Sequence, residues 1–208
     1  KDALKDLVAA ELEKRAQARE NEKPFAEQIE KPFEKLKQDI DLYRSAFFRL
    51  RSESYATLTL LEREMEKGGE LLGDHKEIKK LLKKKDKEQS QGVRNAETVL
   101  ADKGKNFEKK FAEMWKNADA FFTGRRSDKL STMALLGSRL RSLNSLRDQF
   151  LEKNSNLAKS KEGLLKEINA LDLDFQSLEK EVFPFAAEFN RRKNNIMNYM
   201  KTTFGYGY

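Results

Sequence analysis

Cysteine is absent from the 208 residues, which excludes a disulfide framework, a thiolate metal site and a cysteine nucleophile, and is compatible with a reducing compartment. Histidine occurs once, at His75 between Asp74 and Lys76, so neither a histidine metal site nor a catalytic triad can be assembled, and His75 reads as a solvated turn or capping residue. Proline (3) and glycine (10) are too few to punctuate many short elements. No run of 18 apolar residues occurs and no signal-peptide core is present, which argues against a membrane span and a secretory address in this segment. The opening at Lys1, without a Met, reads as a piece cut from a longer protein. A P-loop, a dinucleotide fingerprint and a Glu-x-x-His bundle motif are also missing. The expectation is therefore a protein that is not an enzyme, with no catalytic residue, no metal ligand and no cofactor.

What remains is helix-forming and charged. Charged residues make up 37% and hydrophobic residues 38%, and the 14 Phe fall largely in phase with the other apolar residues, which separates the chain from disordered sequence. From Phe25 the apolar positions step through Ile29, Phe33, Leu36, Ile40, Tyr43, Phe47 and Leu50 with spacings of three and four. A second seam runs from Leu136 through Leu143, Phe150, Leu157, Ile168, Phe175, Val182 and Phe189 to Ile196, and reads as one helix from about Ser127 to Phe204, roughly 115 Å long. Arg147, Asn154 and Lys161 fall on core positions in its middle, where polar residues fix register or partner choice.

Gly68, Gly69 and Gly73 read as a helix stop and reversal with Asp74 as the next cap, and Thr123 to Asp128, containing Gly124, reads as a second reversal. Pro24 and Pro32 predict a kink or break between about Asn21 and Phe33, and Pro184 a kink without termination. The fold class is all-α: an elongated antiparallel bundle or coiled coil of three long kinked helices over about 25–72, 74–122 and 128–204. An N-terminal amphipathic segment at 1–23 precedes it, with Leu4, Leu7, Val8 and Leu12 on one face, and a frayed tail at 205–208 follows.

The net charge of +7 points to an anionic partner. Lys76, Lys79, Lys80, Lys83, Lys84, Lys85 and Lys87 crowd twelve residues against only Glu77 and Asp86, and spread around most of a helix circumference. Arg125 and Arg126 mark the second expected turn, while Arg191, Arg192 and Lys193 read as solvated surface. Most aromatics lie in the seams, with Trp115 and Phe122 as partial exceptions, and no zinc-finger, helix-turn-helix or basic-zipper pattern occurs, so specific nucleic-acid readout is not expected.

Heptads over Phe25 to Leu72 and Leu136 to Ile196, kinks at Pro32 and Pro184, and lysines at 79 to 87 together resemble the BAR-domain superfamily in architecture. The resemblance implies a homodimer that binds or shapes anionic phospholipid membrane, peripheral on the cytoplasmic side. Lys79, Lys80, Lys83, Lys84, Lys85 and Lys87 would make the contact, with Arg125 and Arg126 as further candidates. The competing expectation is a coiled-coil scaffold or tether for protein partners, with no lipid role.

Overall fold

In the computed structural model, residues 2–83 and 90–206 are described, with backbone alone at 2, 3, 17, 18, 21, 90 and 125–130. The order is α1 (Asp2–Phe25), a π-helical turn (Ala26–Glu30), α2 (Lys31–Leu82), α3 (Ser90–Lys153), the single turn and a half of α4 (Ser155–Ser160), and α5 (Glu162–Phe204). The fold is an all-α helical bundle, without a strand among the described residues. Among those residues no helix is long and apolar enough to cross a membrane.

Two compact units divide the chain, one from Lys1–Phe48 with Asp128–Val182 and the other from Arg49–Ser127 with Phe183–Tyr208. Segments of α2, α3 and α5 contribute to each. In the first unit, Phe25 meets Phe150 edge-on at 5.6 Å and Arg139 pairs with Asp39 at 2.7 Å, so α2 and α3 run antiparallel. Glu30–Lys161, Lys37–Glu167 and Arg44–Asp174 step forward together, so α2 and α5 run parallel. Asn144 Nδ2 donates to both oxygens of Asp172 at 2.8 Å, closing the antiparallel α3–α5 side.

The second unit repeats this up-down-up arrangement. Lys110 pairs with Glu64 across α3 and α2, Tyr55 meets Phe185 at 5.3 Å across α2 and α5, and Phe122 meets Phe189 edge-on at 4.7 Å across α3 and α5. The seams supply the cores: Phe25, Ile29, Phe33 and Ile40 are wholly buried in the first unit, and Leu58, Phe111, Phe189 and Ile196 in the second. Each such side chain contributes about 1.5–3 kcal/mol relative to exposure.

Where Pro24 and Pro32 predict a kink or break between about Asn21 and Phe33, the chain stays helical through the π-helical turn Ala26–Glu30. Pro32 has no N–H to donate to the carbonyl of Gln28, and its ring crowds that carbonyl in a regular α-turn. The helix widens instead, with the Lys31 N–H reaching back to the Ala26 carbonyl. At Pro184, α5 continues to Phe204.

Three expectations are corrected. The glycines at 68, 69 and 73 lie inside α2, and the bounds expected near 25–72 and 74–122 move to 31–82 and 90–153. Gly69 and Gly73 face open space, where each costs about 1 kcal/mol relative to Ala, while the half-buried Leu72, Ile78 and Leu82 beyond them offset that cost. Asp74 and His75 are consequently helical, not a cap and a turn.

The second reversal is not at 123–128, whose backbone is helical, because Trp115, Ala118 and Phe122 stay in phase with Met133, Leu136 and Leu140 through one α3. Nor is Ser127 to Phe204 a single helix: the chain reverses through Asn154 to Lys161, so α5 starts at 162 and faces α3, with Gly137 against the Phe175 ring and Asn144 bonded to Asp172. Asn154 takes an extended backbone (φ −146, ψ 92), and its side chain accepts from the Asn156 N–H at 3.2 Å, capping α4. Asn154 and Lys161 are thus reversal residues, and Arg147 is a residue of α3 turned toward α5, instead of a register device in a coiled-coil core. Arg147 donates to Asn169 at 3.1 Å and Lys161 pairs with Glu30 at 2.7 Å.

Candidate anion-binding surface

Counted over the sequence, the first unit holds 19 Lys and Arg against 20 Asp and Glu, a net charge of −1. The second holds 23 against 15, a net charge of +8. The excess positive charge of the chain therefore belongs to one unit.

Part of that charge is consumed inside the bundle. Arg192 on α5 forks onto Glu62 on α2, Nε to Oε1 at 2.8 Å and Nη2 to Oε2 at 2.6 Å, donates to the Thr59 hydroxyl at 3.0 Å, and lies 5.3 Å from the Tyr55 ring centroid. The bond to Glu62 raises the Arg192 pKa further. Lys193 pairs with Asp119 on α3 at 2.6 Å over the Trp115 ring, and Arg191 is held by Glu188 one turn back. Arg192 and Lys193 are therefore partly buried ties between helices, which corrects their reading as solvated surface. Trp115 and Phe122 are 5% and 3% exposed, which removes both as stacking platforms.

His75 likewise joins two helices, with Nε2 3.1 Å from Glu97 Oε1 on α3. Its role is a cross-bundle contact, because the helix carries it to a half-buried position facing α3. Among the described residues no group of three or more His, Asp or Glu could hold a metal ion. A groove in the first unit of about 310 Å³ brings Ser138, Ser142 and Arg139 beside Pro32 and Leu36, and the unit contains no histidine to serve as a base.

The predicted lysines divide by position. Lys76, Lys79 and Lys80 occupy the last two turns of α2 and Lys83 follows its last residue; all four are exposed. Their i, i+3, i+4, i+7 spacing gathers them into a sector of about 100°. This stripe is narrower than the spread expected for the whole cluster. Lys80 bonds Glu77 at 2.7 Å, and that bond, with the charges of Lys80 and Lys76, holds the Glu77 carboxyl below its usual range. Lys76, Lys79 and Lys83 have no ion-pair partner within 4 Å among the described residues. All four sit at the negative end of the α2 dipole, which itself stabilises cations there. Lys84, Lys85 and Lys87 lie outside the described residues, as do the side chains of Arg125 and Arg126, whose backbone belongs to α3 and not to a turn.

Sequence reasoning missed the bundle-spanning role of Arg192 and Lys193. The only signal was their phase: both fall beside the seam positions Phe189 and Ile196, so they were placed to reach neighbouring helices. No known protein family, curated protein or solved structure matches the chain.

Proposed function

We propose that this chain is a non-enzymatic helical module that attaches peripherally, as a homodimer, to anionic membrane surfaces on the cytoplasmic side. The exposed stripe Lys76, Lys79, Lys80 and Lys83, opposed locally by Glu77 alone and set in a unit of net charge +8, carries this reading. Each cation near an anionic leaflet contributes about 1 kcal/mol within a Debye length, so the stripe suffices for measurable attachment without a pocket. What is left of the resemblance to the BAR-domain superfamily, the Phe25 to Leu72 heptads followed by a lysine cluster, points the same way. Vesicle cosedimentation across a series of phosphatidylserine contents tests it, with Lys79, Lys80 and Lys83 changed to Glu as the deciding variant.

A second reading, a scaffold or tether for protein helices, rests on α1. There Leu4, Leu7, Val8 and Leu12 are 72%, 69%, 54% and 61% exposed. Affinity capture that requires these four residues, together with indifference to vesicles, would favour it.

A further inference from the structure

The second unit carries another exposed line of cations that the lysine stripe on α2 does not include. On α3, Arg94, Lys105, Lys109 and Lys116 are all exposed, and none has an ion-pair partner within 4 Å among the described residues. At 100° per residue their spacings of 11, 4 and 7 place them in a sector of about 60°, and the line extends about 33 Å along the helix. The core side chains of the same segment, Phe111, Trp115, Ala118 and Phe122, point about 120° away from it. Asp102 and Glu113 border one edge of the line and Glu108 and Asp119 the other, each about 50–70° from its centre, with Asp119 held by Lys193. Other cations of the unit are spent on the bundle, Lys110 on Glu64, Lys193 on Asp119 and Arg192 on Glu62.

We infer that the face of α3 bearing Arg94, Lys105, Lys109 and Lys116 is the side along which the second unit lies on an anionic lipid surface. This rests on the membrane reading above and adds to it the face of contact. A straight row of cations on a cylinder can touch a flat sheet of phosphates along its whole length, so all four charges act together. A single nucleic-acid strand is the poorer fit, because strand binders interleave exposed aromatics with their cations and the aromatics of this segment are turned into the core.

The absence of cysteine makes the test direct. Lys105→Cys on the row and Glu66→Cys, exposed on α2 of the same unit, are each labelled with a polarity-sensitive fluorophore and mixed with phosphatidylserine-containing vesicles. The expected result is a blue shift and protection from iodide at 105, with neither at 66. Changing Arg94, Lys105, Lys109 and Lys116 together to Gln weakens vesicle binding at least about tenfold, with an unchanged unfolding midpoint. Removing four exposed unit-one lysines, Lys35, Lys153, Lys159 and Lys180, changes binding less than about twofold, because they lie in the unit without excess charge. Vesicles that bind the chain while the label at 105 stays open to iodide overturn the contact face and leave the membrane reading intact. A quadruple variant that loses affinity for duplex DNA and keeps its affinity for vesicles also overturns it. Failure of the unaltered chain to cosediment overturns both.

Discussion

Gly68 of α2 lies directly beneath the ring of Phe107 of α3: a Cβ at this position would overlap that ring and stand 2.6 Å from the Tyr199 hydroxyl of α5. The glycine marks a point where side chains of α3 and α5 close in on the α2 backbone, not a helix end. Gly68→Ala is therefore expected to destabilise by about 2 kcal/mol through overpacking. Gly69→Ala and Gly73→Ala, which meet nothing within 4 Å, should each stabilise by about 0.4–1 kcal/mol. Urea unfolding of the three variants checks this. A glycine turn would reverse the pattern, with losses at 69 and 73.

Arg192 and Arg191 are adjacent, yet their substitutions should differ sharply. Arg192→Ala removes a forked pair with Glu62 and the contact with Tyr55, and is expected to cost about 2 kcal/mol. A double-mutant cycle with Glu62→Gln should show a coupling of about 1 kcal/mol. Arg191→Gln breaks only an exposed one-turn pair with Glu188 and should change stability by a few tenths, about 0.3 kcal/mol. Equal losses at the two positions would contradict the assignment of Arg192 as an interhelical tie.

Burial pushes the Tyr43 hydroxyl up to about 12, and that oxygen has no hydrogen-bond partner among the described residues. The folded state holds this proton more tightly than the unfolded chain, whose tyrosines ionise near about 10. The resulting stability is complete below pH about 10 and is lost as pH rises toward about 12. Tyr43→Phe should leave neutral-pH stability unchanged or raised and should weaken the loss over that alkaline window. Circular dichroism melts across the window measure it.

Asn154→Ala should cost about 1 kcal/mol, since it removes the only side-chain cap recorded for α4 and returns the reversal to an uncapped helix start. Thermal unfolding of the variant reads the loss directly. An unchanged midpoint would remove Asn154 from the reversal.

The helical seams were legible in the sequence because burial follows a period that needs no knowledge of partners. Phe25, Ile29, Phe33 and Leu36 were placed in the core by spacing alone, and are 0–2% exposed. The reversals were not legible. A glycine that ends a helix and one that admits a neighbouring ring look the same in one dimension, so Gly68 was misread. At 154–161 the turn is made by a capping Asn within an uninterrupted period, so Asn154 resembled a polar core position. The lysines of the candidate site were visible as charge. Whether a cation is free was not visible, because the carboxylate that holds Arg192 lies 130 residues away in sequence.

The most direct test of the account is the affinity of the unaltered chain for vesicles of rising phosphatidylserine content, at low and high salt, beside the variant with Lys79, Lys80 and Lys83 changed to Glu. The account predicts binding that requires the anionic lipid, weakens with salt, and falls at least about tenfold in the variant. Equal binding to neutral vesicles, or binding that neither salt nor the three substitutions alter, would contradict it.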